Sequence, residues 1–426
     1  MEILVAGAGI GGLTAALSLH NAGFESVRVV EAAPRLRPLG AGVNLLPNAV
    51  RELASLGLFG ELDSASVQTS QVRYYGRAGG LIWREGRDRA AGYRWPQLSL
   101  PRGRLYAVLV DAVRDRLGPD AVTTDARLTG FTASPDGRRV RAHLRHGDGR
   151  PGSPVEADVL IGADGLRSAV RATLYPDEGT PSWNGMTVWR GTTAAPPFLG
   201  GTSMVVTGDG TQKVVCYPVS QEPDGDGRVQ VNWAASRPAK GGPDADRSDW
   251  NKPVDPGKFL PHFRGWDLGF LDVTGLLENS SGAFEYPMLD RDPLPRWTFG
   301  RVTLLGDAAH AMCPMGSGGT TQAIVDARAL AHYLATAGDL TTTGGVEKAL
   351  TAYEDERRPA MTELQLANRN MGPEIVIDML YDRAPDGFER ASDVLSAAEL
   401  AGVARRHARI GAFDPDSANA ASPYAV

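Results

Sequence analysis

Apolar residues arrive along this chain in runs of two different periods. Residues 2–6 form a short continuous apolar run, residues 12–22 an Ala- and Leu-rich segment, and residues 27–30 a second short run ending at Glu31. Strand, helix and strand in that order make a βαβ unit at the amino terminus. Residues 47–58 predict an amphipathic helix with Leu53 and Leu56 on one side. Residues 105–117 predict another, with Leu105, Val108, Leu109, Ala112, Val113 and Leu117 on its apolar face. Between these helices, residues 67–100 read as an irregular stretch rich in aromatics: Tyr74, Tyr75, Trp83, Tyr93 and Trp95. Further strands are predicted at 155–162 and 302–306, and a long helix at 320–336. From 185 to 235 alternating segments such as Lys213-Val-Val-Cys-Tyr and Val229-Gln-Val-Asn-Trp are separated by Gly, Pro and Asp turns. From about Asp414 the chain is Ala, Ser, Pro and Asn, which predicts a frayed end. No internal repeat is visible. The pattern predicts an α/β domain assembled from separated parts of the chain, with a mostly antiparallel β-domain inserted into it.

Composition narrows this only modestly. A chain of 426 residues suits two intertwined domains. The 42% hydrophobic and 22% charged content is that of a globular protein. A net charge of −6 argues against nucleic acid or an anionic membrane as a partner. The two cysteines, Cys216 and Cys313, have no metal-ligand spacing and suit a reducing cytoplasm, where we expect the protein. The apolar amino terminus lacks a basic leader and carries spaced glycines, so a strand and helix explain it better than a signal peptide. No stretch is long enough to cross a bilayer.

Three segments carry chemistry. Gly7-Ala-Gly9-Ile10-Gly11-Gly12 is a G-x-G-x-x-G between a strand and a helix. The first glycine permits a tight turn, the second lets a pyrophosphate approach the backbone, and the third lets the helix pack on the strand. The helix start offers free N–H groups and a partial positive charge. Glu31, followed by Ala32, lies 19 residues beyond Gly12, near the spacing of a carboxylate that binds ribose hydroxyls. The second segment runs from Ala157 through Gly162-Ala-Asp164-Gly165-Leu-Arg167-Ser168 to Arg171. The third runs from Gly300 through Gly306-Asp307-Ala-Ala-His310 and Pro314-Met-Gly316-Ser317-Gly318-Gly319.

In that order and spacing, over residues 1 to about 370, these segments resemble the class A flavoprotein aromatic hydroxylases, the para-hydroxybenzoate hydroxylase-like FAD family. Stretches such as "RPLGAGVNLLPNAV" and "FEYPMLDRDPLPRWTFGRVTLLGDAAH" resemble the branch containing 5-methylphenazine-1-carboxylate 1-monooxygenase. The resemblance implies a Rossmann-like FAD-binding domain from 1–72, 100–180 and 285–370. It implies a substrate-binding β-domain from 73–99 and 181–284, with helices and a frayed tail over 371–426. Asp307 would accept hydrogen bonds from the ribityl hydroxyls. The Pro314–Gly319 loop and the helix after it would face the flavin N1–C2=O edge and favour the anionic reduced form. Gly40-Ala-Gly42-Val43-Asn44 would lie beside the isoalloxazine ring, and Arg102 against the FAD. Pro101 stands where the family's histidine usually precedes that arginine, so Arg104 remains an alternative. The branch often carries "GSNG" where this chain has Gly316-Ser-Gly-Gly, and Thr320 or Thr321 is the candidate replacement for the asparagine. His310 reads as a support for its turn rather than as a proton carrier.

The implied reaction is reduction of FAD by NADH or NADPH, addition of O₂ at flavin C4a, and transfer of OH from the hydroperoxide to a small aromatic or heteroaromatic ring. The setting it suggests is secondary metabolism. A flavin dehydrogenase or reductase, or a non-catalytic carrier on the same fold, is the alternative. Trp189, Arg190, Tyr217 and Trp233 are the candidate substrate contacts, with Arg190 suited to a carboxylate. No catalytic acid or base is identifiable.

Overall fold

In the computed structural model, residues 1–38, 40–239 and 252–426 are described. At its centre is a five-stranded parallel sheet in the order Val302–Leu304, Val159–Gly162, Glu2–Ala6, Ser26–Val30 and Val122–Thr123. The inner strands are almost wholly apolar because both faces of the sheet are covered. The helix Ile10–Asn21 packs between Gly318–Thr336 and Arg102–Leu117. A three-stranded antiparallel sheet of Arg127–Ala133, Val140–Arg145 and Val155–Ala157 lies nearby. The predicted 155–162 strand is thus two strands in two sheets, parted at Asp158, whose carboxylate accepts the Glu2 N–H at 2.7 Å.

The second large element is an eight-stranded sheet. Its order is Lys252–Pro253, Ala283–Asp290, Ser182–Ala195, Val229–Pro238, Lys213–Pro218, Ser203–Gly208, Gln71–Gly76 and Leu81–Gly86. All its pairings are antiparallel except that of Ser203–Gly208 with Gln71–Gly76. The stretch expected to be irregular therefore contributes two strands here. A third, Gln97–Pro101, pairs with Gly42–Leu45 and Val67–Thr69. Tyr74 and Tyr75 are both buried, each in a different core on opposite faces of the sheet. Burial on both faces erases the alternation by which a strand is recognised.

The carboxyl-terminal end is docked, contrary to the frayed tail expected from its composition. A short helix, Pro415–Asn419, precedes Tyr424, which is 4% exposed. Arg51 Nη1 donates to the carbonyls of Ser417 and Ala420, and Ser422 Oγ donates to Glu52 at 2.7 Å. Arg328 Nη2 donates to the Tyr424 carbonyl at 3.0 Å. These polar anchors were invisible because their partners lie 96 to 370 residues away. Deleting residues 414–426 is expected to lower the thermal midpoint by several degrees, about 2 kcal/mol, since it strips partners from buried Arg328 and Glu52. Differential scanning calorimetry of the two chains checks this.

Candidate active site

The three motif segments converge. Ala6, Gly162 and Leu304 end neighbouring parallel strands in register, so the loops after them emerge side by side at the carboxyl edge of the sheet. Open α/β sheets bind ligands at that edge. Four glycines of the first motif have distinct environments there. Gly7 has φ +102°, and a side chain on it would run into the Ala163 carbonyl. A Cβ on Gly12 would fall inside the Gly7 carbonyl oxygen, and one on Gly11 would lie 2.9 Å from Leu305 Cδ2. In front of Gly9, by contrast, no atom lies within 4 Å. The motif thus closes its own packing at Gly7, Gly11 and Gly12 and leaves an approach open at Gly9, the cap of helix Ile10–Asn21. Glu31 ties this turn to the second strand, accepting Ala8 N–H at 2.8 Å and Ala33 N–H at 2.7 Å, with half-buried Ala32 between.

Asp164 is engaged locally: it accepts from Ser168 Oγ at 2.5 Å and from the N–H of Ala169 at 2.7 Å. Burial nonetheless lifts its carboxyl above the ordinary range, against those hydrogen bonds. Gly165 beside it takes φ +80° with open space in front. Asp307 is exposed at the start of Asp307–His310, immediately after Gly306. Below it lies a buried group: His310 Nε2 meets Asp326 Oδ2 at 2.5 Å, and Arg357 Nε meets Asp326 Oδ1 at 2.8 Å. Asp326 also accepts Gly306 N–H at 3.2 Å, so this network holds the turn that presents Asp307. Burial raises the Asp326 carboxyl, but His310 and Arg357 outweigh it and hold the group below its usual value. A depressed carboxylate stabilises the fold above its unfolded pKa and loses that effect as pH falls through the folded value. Asp326→Asn is therefore expected to cost about 3 kcal/mol at neutral pH, with the gap to wild type closing below about pH 4. Urea titrations across that range measure it.

The Pro314–Gly319 turn has Gly316 at φ +64° and Ser317 at φ +60°. Ser317 caps the long helix Gly318–Thr336 without a side-chain cap bond, and no acidic residue occupies the first turn. Gly318 is buried, whereas Gly319 has open space before it. Asn44 Nδ2 donates to Ser317 Oγ at 3.4 Å. Thr321 is fully buried and accepts Leu46 N–H at 3.1 Å, so its hydroxyl is engaged in packing.

Across from this turn, Gly42 N–H donates to Asn232 Oδ1 at 2.6 Å, and a Cβ there would lie 2.9 Å from the Tyr217 ring. Val43 is buried next to it. Arg102 is exposed and its Cδ would lie 3.2 Å from a Cβ on Gly40, while Arg104 pairs with Glu61 at 3.4 Å. Of the two arginines left open by the sequence, Arg102 is the one beside this loop.

The four substrate candidates divide between two faces of the large sheet. Arg190 and Tyr217 stand on the face toward Gly42, where Arg190 lies 5.6 Å over the Tyr286 ring. Trp189 and Trp233 are on the opposite face, buried against Phe259 with Trp189 Nε1 donating to Glu285 at 2.9 Å. Placing all four in one pocket is thereby corrected. Adjacent residues of a strand face opposite ways, so Trp189 and Arg190 cannot share a wall. The Arg190 side chain is half-buried as a whole, but its Nε is sealed from solvent and unpaired among the described residues. Burial lowers its pKa; the Tyr217 and Tyr286 hydroxyls pull the other way, and the Arg102 charge pushes it down further. Tyr286 and Asn232 were missed from sequence. The signal available was alternation in the strand holding Tyr286, and register with Tyr217 for Asn232. Met186, Met288, Met315 and Met371 cluster with Val188 and Ala234, the cross-strand partner of Arg190, as an apolar wall.

A family model described as FAD binding domain matches residues 1–249 and 284–366. The chain belongs to this FAD-binding family. Phenazine 1,6-dicarboxylic acid hydroxylase PhzS of Lysobacter antibioticus is 44% identical over 370 residues, 87% of this chain and 89% of that protein. 3-Hydroxybenzoate 6-hydroxylase 1 of Aquipseudomonas alcaligenes is 33% identical over 78% of this chain and 80% of its own length. Among solved structures, Klebsiella pneumoniae HpxO complexed with FAD and uric acid shares the fold, with TM-score 0.72 and 24% identity over 99% of this chain and 97% of that one. This family member is an FAD-dependent monooxygenase of the aromatic hydroxylase type, with NADH or NADPH as its reductant. Among the described residues, no helix is long and apolar enough to cross a membrane.

Proposed function

We propose that the cleft between the glycine motif and the large sheet holds FAD and hydroxylates a planar aromatic acid whose carboxylate is bound by Arg190. The observation that carries this reading is the Arg190 guanidinium, its Nε sealed and unpaired, beside an apolar methionine wall. A guanidinium over an aromatic ring with one nitrogen sealed and unpaired still has hydrogen-bonding capacity to fill, and a bidentate carboxylate is its best complement. Relatives named for phenazine dicarboxylic acid and hydroxybenzoate are consistent with such a ligand. A phenazine-like acid of secondary metabolism fits the polarizable methionine wall best.

The residues present fit the cofactor. The open approach at Gly9-Ile10-Gly11-Gly12 suits the pyrophosphate, and Glu31 with Ala32 the ribose. Asp164-Gly165 and Gly306-Asp307 line the ribityl path, with Arg102 alongside. The Pro314–Gly319 turn, with Gly316, Ser317, Gly318 and Gly319, brings the uncapped start of helix Gly318–Thr336 to the ring edge, and Gly42-Val43 flank the ring. Bound FAD supplies electron transfer and oxygen activation. The chain orients the ring, excludes water and fixes the charge around it. Two free, buried cysteines support a cytoplasmic setting.

The test is turnover by the FAD-loaded protein with NADH or NADPH and pairs of aromatic acids and their primary amides. Acids should give products heavier by one oxygen atom, with amides poor substrates. Peroxide alone from every acid, or equal use of acids and amides, would sink the reading.

A further inference from the structure

The Gly316–Ser317 turn also borders an internal cavity of about 20 Å³, walled further by Tyr74, Arg87, Gln97, Glu374 and His407. Three of these side chains, each over nine-tenths buried, present polar atoms without a protein hydrogen-bond partner. They are Arg87 Nε, Gln97 Oε1 and both ring nitrogens of His407. A space of this size lined by such groups is a water site. Glu374 is buried at its edge, with the Gly316 N–H directed at its carboxylate.

We propose that Glu374 is a proton acceptor coupled to the cofactor's redox state, taking a proton through water in this cavity when negative charge appears on the flavin beyond the Gly316–Ser317 turn. The proposal rests on the cofactor placement argued above. The two electrons pass from the nicotinamide to the flavin and none reaches Glu374. Glu374 gains one O–H bond, the proton coming from solvent, and loses it when the flavin is reoxidised. An ionised Glu374 draws the Gly316 N–H toward itself and opposes a second negative charge nearby in a medium of low dielectric. Protonation removes both effects.

The surrounding charges leave Glu374 as the group poised to respond. Burial pushes its carboxyl up to about 7, with Lys213 lowering it, Asp378 raising it, and the Gly316 N–H lowering it. Lys213 is engaged with Asp378 at 2.9 Å. Burial, together with Arg87, holds His407 down at about 4, so it is neutral and can pass hydrogen bonds without changing charge. Tyr74 is pushed well above its ordinary value by burial, then by Glu85. Arg87 is paired with Glu85 at 2.5 Å, and Arg369, the last residue of helix Thr343–Arg369, with Asp290 at 2.6 Å and Asp292 at 2.8 Å.

The experiment is a spectroelectrochemical titration of FAD-loaded wild type and Glu374→Gln from about pH 5.5 to about pH 8.5. Wild type should lose potential more steeply with pH above about 7 than the variant, and the variant's potential should be the more positive there. Proton uptake on photoreduction of wild type, read with an indicator dye, should rise from about pH 6 to about pH 7.5. This second measurement needs no variant to fold. Parallel slopes with uptake that does not rise overturn the proposal while FAD binding stands. A wild-type chain that quenches no FAD fluorescence overturns the cofactor placement itself, and this proposal with it.

Discussion

Gly9→Val is expected to leave the apo-protein folded and to weaken FAD binding about a hundredfold, roughly 2.7 kcal/mol. Gly12→Ala is expected to damage the fold itself. Both substitutions fall in one short turn, yet the structure separates them. Gly9 sits at φ −72° and ψ 178°, which any residue adopts, and a Cβ there meets nothing within 4 Å. The added isopropyl group occupies only the space through which a pyrophosphate must approach. A Cβ on Gly12 collides with the Gly7 carbonyl, which is backbone and cannot swing aside, so the helix must shift from the sheet at a cost above about 3 kcal/mol. Circular dichroism melts of the apo-proteins, together with flavin fluorescence titrations, distinguish the two. Undiminished FAD affinity in Gly9→Val would move the pyrophosphate elsewhere.

Arg190→Met is expected to lower kcat/KM for an aromatic acid by about a hundredfold to a thousandfold, roughly 3–4 kcal/mol, while changing turnover of the corresponding amide little. The same substitution should leave the apo-protein as stable as wild type or more so, because it deletes a cation whose Nε is sealed and unpaired. Arg190→Lys should not restore the acid's kcat/KM, since an ammonium lacks the planar fork that grips two carboxylate oxygens. A parallel loss on acid and amide, measured by steady-state kinetics, would mean that Arg190 shapes the pocket without binding the carboxylate.

Several features of the site are legible in the local order of residues, and others are not. The βαβ start, the glycine motif with Glu31, and the turn after Gly306 are local devices. Each needs only a strand, a turn and a helix in fixed succession, so contiguous spacing records it. Which of Arg102 and Arg104 lies beside the Gly40 loop depends on contacts across the fold: Arg102 packs against Gly40, while Arg104 pairs with Glu61, 43 residues away. Glu374 and His407 carry no motif at all. They become part of the site only because two carboxyl-terminal elements fold against the Gly316 turn.

The amino-acid order by itself determined the family, the cofactor and the succession of three loops along one sheet edge, because local backbone geometry dictates glycine, strand and cap positions residue by residue. Only the tertiary structure decided that Arg190 and Tyr217 stand on the Gly42 side of the large sheet while Trp189 and Trp233 are core, and that the final residues are docked. The direction a strand's side chains face toward a ligand is set by what covers each side of the sheet. Here Phe259 and its neighbours cover one side and Gly42 approaches the other, through contacts between residues far apart in the chain.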